Sequence, residues 1–395
     1  VNSKTTLTII VGLVILNGCD RPEPTQAEIA ATESPAFQPI AEADPTPLVK
    51  YWYHRAESCL DIALSSAREL QSNVETFLLE PTQSRLDLAR TSWRAAHGNY
   101  ISCTLYSTQA TSPQRQAFLD KITSTIDAWP IQPGFIDYLP DYPQTGLIND
   151  TTLQLTQERL IQEHQFSSLE DVSLGFHALE FMLWGNNNNR PAEDFVAIAS
   201  HKAENGIEIE PQNRRRNYTT LLTHHLTGQL KLLTDAWNID NEGDALSLKN
   251  MPASAQLNYL LSALYNTLKQ QVLAGYLTPA AENDMEAGNE APFSSSTHEA
   301  LVSILLELNA MVVMEPQGEH QNLAQFIDIR HPESALKLIQ ALSELTTSLD
   351  QLPADYLQNL EANTAKIEAV KQKINTTLTM IQEIAGQYDQ TLTLL

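Results

Sequence analysis

Glycine is scarce in this chain, 14 of 395 residues, and the period-two alternation of half-buried strands is missing over long stretches. Leu, Ala, Gln, Glu and Thr are abundant instead. These absences weigh against a sheet-based architecture and predict an all-α protein, long enough for two ordinary domains and a sizeable core. Positive charge is also short: 24 Lys and Arg stand against 48 Asp and Glu, a formal charge of −24. So acidic a chain repels a phosphate backbone, which excludes nucleic acid as a partner. The acids are spread along the chain, as on a solvated surface that keeps a protein soluble; a cation-attracting surface is the other reading.

The apolar run from Leu7 to Leu16 is too short to anchor stably across a bilayer. Preceded by Lys4, it fits the core of a secretory signal. It ends in Leu16-Asn17-Gly18-Cys19, which resembles a bacterial lipobox. That resemblance implies a lipoprotein signal peptide over 1–18 and a lipid on Cys19 that ties the protein to a membrane. The alternative is an ordinary signal peptide with a chance cysteine. Asp20 resembles an inner-membrane retention signal, so the expected place is the periplasm-facing cell envelope of a bacterium, the inner membrane favoured. Residues 19–46, rich in Pro, Ala and Glu, read as a disordered tether.

Only three cysteines are present. With Cys19 taken by lipid, Cys59 and Cys103 face an oxidising compartment. Their midpoint, residue 81, falls on the Glu80-Pro81-Thr82 break between two expected helices, Val49–Leu79 and Gln83–Tyr106. In an antiparallel hairpin the two thiols stand at the same height. A disulfide stapling the hairpin is the favoured reading, and two buried free thiols the other.

Apolar residues at helical spacing predict further helices over Pro113–Ala128, Thr151–His164, Leu169–Trp184, Gln212–Trp237, Ala255–Leu277, Thr297–Val313, Pro332–Gln351 and Ala354–Leu392. The polar segment 239–256 is the best boundary, dividing an N-terminal helical bundle over 47–240 from a C-terminal one over 250–395. Two loops stand out. WPIQPGFIDYLPDYPQTG carries Asp137 and Tyr138, as functional groups or as loop packing. Residues 277–296 are long for a loop in a compact bundle. Met311 and Met314 read as core.

GFHALEFMLWG, residues 175–185, is apolar nearly throughout yet carries His177 and Glu180. Residues i and i+3 share a helix face, so the two side chains can grip one metal ion or bond each other. A buried unpaired carboxylate is costly, so Glu180 needs a partner: a metal, the histidine, or an arginine among Arg214, Arg215 and Arg216. The pattern is not that of zincin peptidases, because Ala178 stands where the base would be and Phe181 where the second ligand would be. From spacing, a metal site and a structural His–Glu pair both stay open. His224 and His225 lie on one helix, one facing out.

GFHALEFMLWG also resembles the Gly-x-His-x-x-Glu signature of the imelysin-like family, which includes imelysin-type peptidases and iron-regulated envelope proteins. Other stretches agree in order. They are SWRAAHGNY (92–100), WPIQPGFIDY (129–138), NRPAEDF (189–195), RRRNYTTLL (214–222) with Trp237, and FSSSTHEAL (293–301). The resemblance implies two tandem four-helix-bundle-like domains related by pseudo-duplication, with a cleft between them. Carried over, Gly175, His177 and Glu180 are the signature, and Trp93, Asp137, Tyr138, Arg216 and His298 are wall residues of the cleft. Gly175 would permit close helix approach. The chain departs from the family pattern at ISCTLYS (101–107), which lacks an acid, and at Ser295 and Ser296. That leaves His177 and Glu180 short of the three or four protein ligands that zinc takes.

Three functions follow as expectations. The first is a lipid-anchored periplasmic protein that binds iron, zinc or a small ligand at His177 and Glu180 in iron acquisition, with an envelope protein as a further partner. The second is an imelysin-type zinc metallopeptidase. The third is a non-catalytic interaction module.

Overall fold

The computed structural model describes residues 44–199, 202, 204–208, 210–237, 248–282 and 288–394. The segment of the signal peptide, Cys19 and nearly all of the tether lies outside these residues, as does the first half of the boundary expected at 239–256.

Helix α1, Thr46–Leu79, follows from its sequence: Leu48, Trp52, Ala56, Leu60, Ala63, Ala67, Leu70, Val74 and Phe77 recur every third or fourth residue and are all buried. Glu80 and Pro81 end it, and the Thr82 hydroxyl caps α2, Gln83–Ser102, by accepting from the Arg85 amide. A tighter turn, Cys103–Tyr106, finishes that segment. Cys59 and Cys103 are disulfide-bonded across the hairpin, with Cα atoms 5.7 Å apart.

Helix α3 is Pro113–Ile126, α4 is Gln157–Glu163, α5 is Gly175–Trp184 and α6 is Pro211–Trp237. Two are shorter than the periodicity predicts. Before α4, the Asp150 carboxylate accepts from the Thr152 amide at 2.9 Å, a local turn that competes with helix. Before α5, Gly175 sits at φ +93°, which no helix interior tolerates, so the helix begins there instead of at Leu169.

The second half holds α7, Ala253–Asn266, which widens into a π-helical stretch over Thr267–Leu277, then α8, Thr297–Val313, and α9, Leu323–Asp328. Helices α10, Pro332–Asp350, and α11, Leu360–Gln387, complete it. The last helix starts later than Ala354, after a short turn at Tyr356–Asn359. Among the described residues there is no strand, only two isolated bridges. The all-α class is therefore the observed one.

Helix α1 packs on α2 and α6, while α10 and α11 pack on each other and α11 on the π-helical stretch. The halves meet where α8 lies on α2. Trp52 of α1 touches Tyr106 and Tyr259 of α7 edge-on, at 5.0 and 5.9 Å between ring centres. Arg55 and the Tyr106 hydroxyl both bond the buried Glu307 of α8. Met311 is buried, but Met314 is 52 % exposed: α8 has ended at Val313, and the thioether turns out to the Arg55 guanidinium.

Candidate metal centre

Four side chains meet at this seam. His97 comes from α2, Asp127 from the residue that closes α3, His177 from the first turns of α5, and Glu290 from the loop that leads into α8. One ligand atom from each lies within 4.8 Å of all the others. His97 Nε2 is 2.8 Å from Glu290 Oε1 and 3.5 Å from Asp127 Oδ1. His177 Nε2 is 3.1 and 3.3 Å from the same two oxygens.

These separations are those of ion pairs, yet the atoms are not aligned as hydrogen bonds. His97 Nε2, His177 Nε2, Asp127 Oδ1 and both oxygens of Glu290 are buried and make no hydrogen bond among themselves or with other groups. Buried polar atoms are otherwise almost always satisfied. Two nitrogens and two carboxylates aimed at one point are instead the donor set of a first-row divalent metal. The residues fit such an ion.

Local sequence sets this geometry. The glycine at 175 lets α5 start against the end of α3: a Cβ there would lie 2.5 Å from the Ile126 carbonyl oxygen, and the next residue is Asp127. Trp93, one helical turn before His97, stacks on its ring at 4.7 Å and donates its indole N–H to the Phe176 carbonyl at 2.9 Å. Trp129 lies 5.2 Å from the His177 ring.

Glu180 faces away from the four-atom cluster. Its Oε2 is 3.2 Å from His177 Nδ1, and its Oε1 accepts from the Ser294 amide at 2.6 Å. The carboxylate therefore fixes the His177 ring and turns Nε2 toward the cluster, as the outer carboxylate does in carboxylate–histidine–metal arrangements. The two residues of the motif act in series.

Burial alone would lower the pKa of each imidazole, but the acids reverse it. Glu290 and then Asp127 push His97 up to about 9. Glu290, Asp127 and Glu180 raise His177 well above its ordinary value. Burial would raise Asp127 and Glu290, and the two imidazoles hold both below the usual carboxylate range. Without a metal the imidazoles thus supply the positive charge that the carboxylates require.

Two clefts reach the cluster. One, of about 370 Å³, lies between the end of α2, α3 and the π-helical stretch and is lined in part by Asp127. The other, of about 320 Å³, runs between α2 and α8 and meets His97.

The remaining expected wall residues stand elsewhere. Asp137 is fully buried and accepts from Arg190 at 2.8 Å and from Arg215 at 2.7 and 3.1 Å, which hold it below the usual carboxylate range against the effect of burial. The Tyr138 hydroxyl donates to Asp194 in the same network, at 2.8 Å. Arg190 and Arg215, not Arg216, are thus the arginines paired with Asp137. Arg216 donates to the carbonyls of Leu78 and Phe195. His298 packs edge-on to Tyr356, ring centres 6.3 Å apart. His224 is exposed and bonds Glu75, while His225 is buried against Gln157.

Sequence reasoning missed His97, Asp127 and Glu290. For His97 a signal existed: Trp93, His97 and Tyr100 of SWRAAHGNY share one helix face. Asp127 and Glu290 sit at a helix end and in a loop, where periodicity is silent.

No curated protein matches the chain. Among solved structures it is similar to a protein from Parabacteroides distasonis assigned as an iron-regulated protein A precursor, with a TM-score of 0.65 and 12 % identity over 88 % of this chain and 97 % of that one. It is also similar to an imelysin-like protein from Psychrobacter arcticum 273-4, with a TM-score of 0.64 and 15 % identity over 88 % and 98 %. At such identities these likenesses speak to the fold alone. The Imelysin family of M75 peptidases matches residues 57–384, most of the folded chain, and the protein belongs to that family.

Proposed function

We propose that this imelysin-family protein binds a first-row divalent metal, iron or zinc, with His97, Asp127, His177 and Glu290 as ligands, and that it does so as a lipid-anchored protein of the bacterial periplasm engaged in iron acquisition. The observation that carries the reading is the convergence of buried, unbonded nitrogen and carboxylate atoms on one point. The lipobox-like Leu16–Cys19 and the Cys59–Cys103 disulfide support the compartment. The name of the Parabacteroides relative supports iron. A bound ion would supply positive charge between the two carboxylates. The chain's own part is to orient both imidazoles and to keep water from most of the site.

The peptidase reading has less support. Proton transfer to a leaving amine needs an acid or base free to move. Glu180, the acid inside the motif, is committed to His177 and to the Ser294 amide.

The test is metal analysis and titration of the purified chain with Fe²⁺ under argon and with Zn²⁺. One ion per chain is expected, with affinity weakened in His97→Ala and Glu290→Gln by more than the roughly 10- to 100-fold that losing an outer partner costs, since each removes a direct ligand. Equal metal content in wild type and both variants would refute the site.

A further inference from the structure

Resting on the metal reading above, we propose that the ion reaches its ligands as the bare hydrated cation, through the cleft that Asp127 lines, with Asp120 at the cleft wall as its capture group. A cation wrapped in a polyanionic chelator is refused.

The first argument is exposure. Asp127 keeps 15 % of its side chain accessible, whereas His97, His177 and Glu290 keep 2, 0 and 9 %. Its Oδ1 is buried toward the cluster, so the accessible part is the remainder of the side chain, which lines the cleft.

The second argument is the chemistry of the cleft wall. A hydroxyl has one hydrogen to donate and two lone pairs. Ser107, Thr123 and Ser124 donate theirs to the backbone carbonyls of Thr104, Leu119 and Lys121, at 3.4, 2.8 and 3.1 Å. Thr104 is likewise committed, to the Ile101 carbonyl and Gln271 Oε1 at 2.7 and 2.8 Å. The Thr108 hydroxyl oxygen is buried with no partner. Ser107, Thr123 and Ser124 thus have lone pairs left to offer, and the donors that remain on the wall, the Thr108 hydroxyl and the Gln271 amide, are neutral. The water shell of a cation presents its hydrogens outward and suits such an acceptor wall. The several carboxylate or phosphate oxygens of a chelator call for cationic donors, and this wall has none.

The third argument is charge. No Lys, Arg or His lines this cleft, and its two ionisable acids are Asp120 and Asp127. Asp120 holds one oxygen against Gln116 Nε2 at 2.8 Å and is exposed to solvent. The second cleft carries Arg94, whose guanidinium donates to the Ser294 carbonyl and lies 5.1 Å from the Trp184 ring. Glu299 on the same cleft offsets that cation, so its fixed charges cancel, whereas the first cleft presents two carboxylates and no cation.

The experiment is stopped-flow binding of Zn²⁺ and Co²⁺ chloride, read by tryptophan fluorescence, because Trp93 stacks on His97. Asp120→Asn should slow association about tenfold at low ionic strength, and the gap should close in high salt. Thr123→Trp, which narrows the cleft, should slow association and dissociation together with equilibrium affinity kept; Ser303→Trp, in the second cleft, should change neither. With zinc citrate the wild-type rate should follow the concentration of free aquo ion. A tryptophan at 303 that slows binding while one at 123 does not, unchanged rates in Asp120→Asn, or citrate complex bound as fast as the free ion would overturn the route while leaving the site standing. Absence of binding in wild type at equilibrium would overturn the metal reading and the route with it. Should Thr123→Trp fail to fold, the salt dependence of Asp120→Asn decides.

Discussion

His97 and His177 aim their Nε2 atoms at one oxygen of Glu290, from 2.8 and 3.1 Å. The two histidines belong to different helices and the glutamate to the other half of the fold. Behind His177 stands Glu180, which touches its far nitrogen. Glu180→Gln should therefore weaken metal binding only about 10- to 100-fold, less than His177→Ala, since an orienting partner is lost and not a ligand. Competition against a chelating dye measures both. If the two variants weaken equally, Glu180 is itself a ligand.

Gly175 offers a second check. An alanine there would take φ +93° and press on the Ile126 carbonyl, which is backbone and cannot swing aside. Gly175→Ala is expected to destabilise by about 2 kcal/mol or more and to lower metal affinity as well, because Asp127 follows Ile126 directly. Urea unfolding and metal titration report the two effects. A variant as stable as wild type would show that close approach of α5 to α3 is not required.

Asp137 is held in a buried ion-pair network with Arg190 and Arg215. Asp137→Ala leaves Arg190 and Arg215 buried without their shared carboxylate, and a loss of about 3–5 kcal/mol is expected. Metal affinity in the folded fraction should stay within a few-fold of wild type. A large drop in affinity at normal stability would put Asp137 back among the cleft residues.

The buried His225 predicts a pH dependence. Burial, with His164 nearby, pulls its pKa from 6.5 down to about 4, and the groups facing it are Gln157 and that second imidazole. Above pH 6.5 the imidazole is neutral in folded and unfolded chains alike. As pH falls from 6.5 toward 4, the unfolded chain takes up a proton and the folded chain does not, so stability is lost, up to about 3 kcal/mol. Comparing denaturant midpoints at pH 7 and pH 5, His225→Gln should lose less stability than wild type. Equal losses would mean His225 accepts a proton in place.

Much of the fold was legible in the residues. The 34-residue α1 shows its buried stripe directly, and the paired cysteines could be placed across the Pro81 turn. Helix starts were less so. The Asp150 turn and the Gly175 backbone override periodicity with local chemistry that reads, residue by residue, as tolerable helix. Of the site, GFHALEFMLWG pointed to His177 and its orienting acid, but not to which of them faces the ion. The acids that complete the cluster come from a helix end and from a loop far along the chain. Only packing of α8 on α2 brings Glu290 to His97, and no spacing in the sequence encodes that.

That seam gives an occupant a second job. Three donors belong to the first half of the chain and Glu290 to the second, so an ion held among them is also a rivet between the halves. By reciprocity, whatever clamps α8 more firmly onto α2 tightens the grip on the ion, and whatever pries them apart loosens it. A protein touching only the outer face of the second half would thus be able to tell a laden molecule from an empty one, and to prompt release, without ever meeting the metal.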